Sequence, residues 1–203
     1  MSFKKVNEHV KAALDRLEIK DANPFQSAIL PKIKGGANVY GIGPKGCGKT
    51  TAFIIATVQK LKGEAFEDAP RAVIIVKNKE AAIELEESFK LFIRRTDLRI
   101  FSAFEEQHIN NQIDSIYPGV DIVIATPKRL SKLYFLNGIN LSQLQLFIIE
   151  DAEFLQNVNN NTELNRLSDS IGKCQYLIFG TKMETKMKKF EESFMMNAQL
   201  IRG

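Results

Sequence analysis

Gly43-Pro44-Lys45-Gly46-Cys47-Gly48-Lys49-Thr50 is a complete G-x-x-x-x-G-K-T stretch, and its flanks decide how it folds. The apolar run Ala37 to Ile42 before it reads as a short buried strand, and Thr51 to Val58 after it reads as the first turns of a helix. A glycine-rich loop between strand and helix turns backbone N–H groups inward around an anion, and the helix dipole adds partial positive charge. In this pattern Lys49 reaches the β- and γ-phosphates of a nucleotide and the Thr50 hydroxyl ligates Mg²⁺. Every residue of the quoted stretch, together with Thr51, is a candidate phosphate contact. A chance glycine-lysine loop does not account for the fixed glycines and the Lys-Thr pair in this setting.

Outward from the loop, Val6, Val10, Ala13, Leu14 and Leu17 recur at helical spacing, so an amphipathic helix is expected there. Asp21 to Pro24 reads as a turn that starts a second helix at about Pro24, and Gly35-Gly36 stops it. Then apolar runs alternate with helical patterns. Buried strands are expected from Val39 to Ile42, Ala72 to Val76, Val120 to Ala125, Leu146 to Ile149 and Tyr176 to Phe179, with a further short one from Leu98 to Phe101. Helices are expected from Thr50 to Lys62, Lys79 to Phe92, Glu105 to Ser115, Lys128 to Leu136 and Asn161 to Ile171, and the asparagine-rich stretch from Asn157 to Asn161 reads as an exposed loop or turn. Continuous apolar strands with intervening helices imply an α/β fold, a three-layer open and mostly parallel sheet with helices on both faces. In such sheets ligands sit beyond the C-terminal ends of the strands.

Composition narrows the function classes. The 203 residues are 44% hydrophobic and 26% charged, as in ordinary globular proteins. A net charge of +4 permits a polyanionic partner without establishing one. Two cysteines, Cys47 and Cys174, make no disulfide framework, so a reducing, cytoplasmic setting is expected. With only His9 and His108, a zinc site or a Ser-His-Asp triad has almost no material. No apolar run approaches bilayer length and no signal peptide is visible, so no membrane partner is expected.

A second cluster follows the strand Leu146 to Ile149: Glu150-Asp151-Ala152-Glu153. An apolar strand ending in carboxylates suits a nucleotide–Mg²⁺ site, where one holds the metal and the next polarises the attacking water. Glu150 is assigned to the metal with Thr50, and Asp151 to the water. With Lys49 they form the expected catalytic set. The competing reading is a helix N-terminus, where acidic side chains favour the dipole.

Several segments in order give the chain a wider resemblance. Phe3 precedes Ala22-Asn23-Pro24-Phe25-Gln26, and Pro31 and Gly43 follow at family spacing. Lys77-Asn78-Lys79-Glu80-Ala81-Ala82 stands in the place of P-T-R-E-L-A, and Thr126-Pro127-Lys128-Arg129 is similar to T-P-G-R. Glu150 to Glu153 stands where D-E-A-D would, Gly180-Thr181-Lys182 where S-A-T would, and the tail Phe194 to Ile201 looks like a closing strand. The chain resembles the first RecA-like domain of a DEAD-box RNA helicase over essentially its whole length. The resemblance implies an N-terminal adenine-recognition segment, residues 1–36, ahead of a phosphate-loop core, residues 37–203. It implies ATP and Mg²⁺ as cofactors, with Gln26 reading the adenine edge, Phe3 beside the base, and Phe25 either in the core or beside the base. It further implies RNA backbone contacts from Asn78, Lys79, Glu80, Thr126, Pro127, Lys128 and Arg129, and interdomain coupling through Gly180, Thr181 and Lys182.

The departures bear on activity. The acidic tetrad is inverted, so each side chain differs by a methylene, and a displacement of about 1 Å at a catalytic group can cost on the order of a hundredfold in rate. Lys45 stands where the family has threonine, and S-A-T has become Gly-Thr-Lys. The expected chain lacks a second RecA-like domain, whose arginine fingers can be worth about 10³ to 10⁵ in rate. The expectation is therefore a monomeric, nucleotide- and RNA-binding domain that hydrolyses ATP weakly and does not unwind by itself. That second domain would act in cis or in trans. The alternatives are a non-catalytic regulatory module derived from a helicase and, more distantly, a small-molecule kinase.

Overall fold

Successive residues of the central strands face opposite helical layers, and both layers bury them. Ala72 and Ile74, Ile122 and Ile124, Leu146 and Ile148, and Leu177 and Phe179 pack on one side, while Val73 and Ile75, Val123 and Ala125, Phe147 and Ile149, and Tyr176 and Ile178 pack on the other. This two-sided burial is why the strands read as unbroken apolar runs rather than alternating ones. The computed structural model describes residue 3 and residues 6–203; residues 1, 2, 4 and 5 of the expected 1–36 segment lie outside the described residues.

The strands are β1 (Val39–Ile42), β2 (Ala72–Ile75), β3 (Ile100–Ala103), β4 (Ile122–Ala125), β5 (Leu146–Ile149), β6 (Gln175–Gly180) and β7 (Gln199–Arg202). They form one seven-stranded sheet in the order β3-β4-β2-β5-β6-β1-β7, with every neighbouring pair parallel. One helical layer is α1 (Glu8–Arg16), α2 (Pro24–Lys34), α3 (Lys49–Lys60) and α4 (Lys79–Ile93). The other is built from α5 (Ile109–Ile116), α6 (Pro127–Phe135), α7 (Val158–Ser170) and the short α8 (Thr185–Lys189). No helix among the described residues is long and apolar enough to cross a membrane.

Local chemistry sets the element ends. α2 opens with Pro24 at its first position and a capping box: the Asn23 side chain accepts from the Gln26 amide and the Gln26 side chain accepts from the Asn23 amide. Gly41 lets α2 approach β1, because a Cβ there would meet the Phe179 ring at 2.6 Å and Ile29 Cδ1 at 2.8 Å. The Phe179 ring in turn stacks at a tilt on Phe53 of α3, centroids 5.2 Å apart.

Boundaries differ from the sequence reading: β3 runs from Ile100 to Ala103 rather than from Leu98 to Phe101, and three other segments depart further. The asparagine stretch is not a loop: Asn157 caps α7 by accepting from the Asn159 amide, and Asn159 to Asn161 form its first turn. Short polar side chains favour caps and turns for the same reason, and here the cap prevails. α5 begins at Ile109 rather than Glu105, because residues 104–107 turn across the strand ends. The closing strand pairs only from Gln199; Phe194 instead stacks on Tyr176 and Phe190, each at 4.7 Å.

At the opposite edge from the loop, the residues leading into β2, β3 and β4 share one buried carboxylate. Asp121 Oδ1 accepts from Arg71 Nη2 at 2.7 Å and the Phe66 amide at 3.0 Å, and Oδ2 accepts from Arg99 Nε at 2.9 Å and the Arg99 amide at 3.0 Å. Burial pushes this carboxyl up, but the bonds from Arg99, Arg71 and Phe66 outweigh it and hold Asp121 below the usual carboxylate range. Asp121→Ala is expected to destabilise the fold by about 3–5 kcal/mol in urea unfolding at pH 7, because two guanidiniums lose their partner. The Asp121 contribution is present above the ordinary carboxylate pKa and is lost as pH falls through its depressed folded value, so the difference between wild type and variant should shrink in strong acid.

Candidate functional site

Five of the segments singled out in the sequence leave the C-terminal edge of the sheet. The phosphate loop follows β1, Lys77 to Glu80 follows β2, Thr126 to Arg129 follows β4, the acidic tetrad follows β5, and Thr181-Lys182 follows β6. β6 lies between β1 and β5, so Gly180-Thr181-Lys182 separates the loop from the tetrad.

Gly46 and Gly48 hold φ of 81° and 88°, which L side chains rarely adopt. No side chain caps α3 at Gly48, so its first amides are not taken by a capping oxygen. A Cβ at Gly48 would meet Asn23 Nδ2 and Gln26 Nε2, both at 2.6 Å. Those two amides brace the loop: Asn23 Nδ2 donates to Cys47 O at 3.0 Å and Gln26 Nε2 to Gly48 O at 3.4 Å. Lys49 is 8% exposed, and its ammonium donates to Gly43 O at 2.7 Å and Pro44 O at 2.9 Å. Pro44, Lys45 and Gly46 are exposed at the tip, and Thr51 is half-buried in the first turn of α3.

Gln26 is 5% exposed. Its carbonyl accepts from Asn23 and its amide donates to Gly48, which leaves a lone pair and an N–H for another partner. Phe3, half-buried, lines with Gln26 a groove of about 880 Å³ between α2 and α3. Phe25 is 3% exposed and belongs to the core.

The two halves of the site meet at Thr50 and Glu150. Thr50 Oγ1 donates to Glu150 Oε1 at 2.9 Å. Burial pushes the Glu150 carboxyl up to about 7; the Thr50 hydrogen bond opposes this, the neighbouring Asp151 and Glu84 carboxylates add to it, and Lys77 opposes it. Thr50, Lys77, Asn78, Glu84, Glu150 and Asp151 border a cavity of about 330 Å³. Asp151 sits at φ 45° and ψ 54°, a left-handed bend that turns the chain into the 3-10 segment Ala152–Gln156. Beyond the bend, Glu153 accepts from the Thr181 hydroxyl at 2.6 Å and from the Thr181 amide. Burial pushes Glu153 up, and the Thr181 bonds outweigh it and hold the carboxyl below its ordinary value.

No group of three or more His, Cys, Asp or Glu side chains among the described residues is arranged to hold a metal. The Thr50 hydroxyl and Glu150 carboxylate are a hard oxygen pair of the kind that binds Mg²⁺ together with substrate phosphates and water. The donor set therefore fits that ion.

The expected RNA residues fall into two kinds. Asn78 and Glu80 are exposed, with Asn78 capping α4 by accepting from the Ala81 amide, and Lys79 is half-buried. Lys128 is exposed, while Thr126, Pro127 and Arg129 are buried. Arg129 is held within the chain: its Nη2 donates to Glu105 O at 2.8 Å and Gln107 O at 3.1 Å. Sequence reasoning missed the loop brace Asn23, although N-x-x-Q before an apolar run is a capping-box signature. It also missed Glu105, for which no local signal exists.

Because the folded Glu150 pKa lies above its ordinary value, the stability it supports is fully present below about 4.5 and is lost as pH rises through about 7. Glu150→Gln is expected to flatten that decline, measured as Tm against pH in chelator and without nucleotide. An unchanged profile would contradict the buried environment of this carboxyl.

Comparison with known proteins bears on the family and the fold. An ATP-dependent RNA helicase DBP10 of Phaeosphaeria nodorum is 28% identical over 198 residues, 97% of this chain and 23% of the relative. DBP10 of Saccharomyces cerevisiae is 27% identical over 190 residues, 93% of this chain and 19% of the relative. The ATP-dependent RNA helicase ddx54 of Dictyostelium discoideum is 29% identical over 179 residues, 88% of this chain and 16% of the relative. The chain thus spans about a fifth of the length of these curated relatives. The crystal structure of a DEAD box protein from the hyperthermophile Methanococcus jannaschii superposes with a TM-score of 0.91 at 19% identity, covering 100% of this chain and 56% of that one, which shows the fold. The DEAD/DEAH box helicase model matches residues 23–190, and the chain belongs to that family.

Proposed function

We propose that the chain binds a magnesium–adenine nucleotide at the β1–α3 loop and the backbone of RNA along the ends of β2 and β4. In this reading it forms part of an ATP-dependent RNA helicase. The observation that carries the reading is the 2.9 Å hydrogen bond from Thr50 to Glu150, which joins the loop to an acidic strand end 100 residues away. A hydroxyl and a carboxylate so joined are what a nucleotide-bound Mg²⁺ needs.

The residues take the following roles. Lys49 and the uncapped amides of α3 hold phosphate oxygens, with the phosphates competing against Gly43 O and Pro44 O for the ammonium. Thr50 and Glu150 hold Mg²⁺, which when bound neutralises charge on the β- and γ-phosphates. Asp151 orients and polarises water. The spare donor and acceptor of Gln26 read the adenine edge, Phe3 flanks the base, and Phe25 supports Gln26 from the core. Thr181, tied to Glu153, couples the tetrad to whatever packs on that edge, with Gly180 and Lys182 beside it. Asn78, Lys79, Glu80, Thr126, Pro127 and Lys128 present hydroxyls, cations and helix amides to RNA phosphates without reading sequence. Fast hydrolysis then calls for an arginine finger of the kind a second RecA-like domain supplies, worth about 10³ to 10⁵ in rate.

One observation favours a second reading, a regulatory nucleotide- or RNA-binding module without hydrolysis. The residue expected to polarise water is Asp151, a methylene shorter than the glutamate of the family pattern.

Thermal unfolding with Mg-ADP, with Mg-GDP and without nucleotide tests the nucleotide reading, on this chain and on Lys49→Ala. At about a thousand times the dissociation constant, Mg-ADP should add about 4 kcal/mol of stability. The shift should be absent with Mg-GDP and absent in Lys49→Ala. No shift with either nucleotide at saturating concentration would sink the reading.

A further inference from the structure

Several of the groups assigned to RNA are already held by one short segment of the same chain. Between β3 and α5, residues 104–107 cross the ends of the neighbouring strands. Lys79 Nζ stands 5.6 Å from the Phe104 ring centroid. Thr126 Oγ1 donates to Glu105 Oε2 at 2.6 Å, and Arg129 Nη2 donates to the carbonyls of Glu105 and Gln107. From the other side Gln112 Nε2 donates to Phe104 O at 2.9 Å and to Gln107 Oε1 at 3.1 Å.

The place where Glu105 docks has the chemistry of an anion site. Thr126 is the N-cap of the nine-residue helix α6, yet its hydroxyl does not bond back to the helix. An oxyanion there meets the positive end of the helix dipole. Arg129, 6% exposed, keeps Nε and Nη1 without hydrogen-bond partners. A buried guanidinium with unmet donors beside an uncapped helix start has binding capacity that the loop does not use.

We propose that Glu105 is a built-in occupant of this site: its carboxylate stands where an RNA backbone phosphate binds, and RNA must displace it. The proposal rests on the RNA reading above. Carboxylate and phosphodiester both accept hydrogen bonds from a hydroxyl and a guanidinium, so they exclude one another at Thr126. Glu105 is exposed, so its side chain can turn away from Thr126 while Arg129 keeps the Glu105 and Gln107 carbonyls, without opening the core. RNA affinity is then set by competition with a tethered acid, and Glu105 determines how tightly the chain holds RNA.

The test is fluorescence anisotropy of a labelled single-stranded oligouridylate at one fixed salt concentration, comparing wild type, Glu105→Ala and Glu106→Ala. Glu106 is an exposed neighbour of the same charge that makes no hydrogen bond or ion pair among the described residues. Glu105→Ala should tighten binding about tenfold, the gain expected for removing a competing hydrogen bond to a charged acceptor. Glu106→Ala should change it by less than about threefold, as an exposed charge near the site does. Glu105→Gln, which preserves size and an acceptor for Thr126, should gain less than Glu105→Ala and serves if the alanine variant is unstable. Equal tightening in the Glu105 and Glu106 variants would mean a general charge effect and overturn the proposal. Wild-type binding left unchanged by Glu105→Ala would overturn the occupant alone and leave the RNA reading standing. No binding by any of the proteins would overturn both.

Discussion

The register of β6 against its two neighbours is the constraint on which the site depends. Ile42 at the end of β1 pairs with Gly180, and Ile149 at the end of β5 pairs with Ile178. The phosphate loop and the acidic tetrad therefore leave the sheet on either side of one strand, with β5 ending two residues lower along β6. α3 rises from the loop with Thr50 in its first turn, and Glu150 meets it from below. A slip of one residue in β5 would turn Glu150 to the other face, because side chains alternate along a strand. Two-sided burial of Leu146 to Ile149 makes that slip costly, so a purely apolar packing requirement holds a polar contact in place.

The two glutamates of the tetrad show how little side-chain identity determines charge state. Glu150 lies at a buried strand end with carboxylates nearby, and it is pushed up to about 7. Glu153, three residues on, receives the Thr181 hydroxyl and amide and is held down. The left-handed Asp151 between them makes this possible by turning the chain sharply, so the two carboxylates enter different surroundings. Such strain in a non-glycine residue persists only where the surroundings over-determine it, and here β5 and the Glu153–Thr181 bonds fix both sides of the bend. At the other ends of the strands, Asp121 and its paired arginines tie together the residues that lead into β2, β3 and β4.

Much of the architecture was legible because it rests on local or periodic signals. The loop glycines, the proline start of α2, the Gly35-Gly36 stop and the apolar strands each carry a mechanism that works within a few residues. The misreadings arose where a competing contact, local or long-range, prevails over the pattern in the sequence. Asn157 to Asn161 has turn composition, yet Asn157 caps α7 and the stretch becomes helical. Glu105 to Gln107 has helical periodicity, yet Arg129, Thr126 and Gln112 draw it across the sheet instead. Arg129 is expected as an RNA contact, and it is buried beneath that segment with the Glu105 and Gln107 carbonyls as partners.

By itself, the sequence determined the element types, the parallel α/β class, the phosphate loop and the acidic strand end, because spacing, apolar periodicity and glycine placement act over short distances. Tertiary structure alone decided which of these meet. Strand order put β6 between loop and tetrad, register brought Thr50 to Glu150, and packing turned Gln26 toward Gly48 and Glu105 toward Thr126. Those pairings depend on distances between residues about twenty to a hundred positions apart, which are set only when both faces of the sheet are buried together.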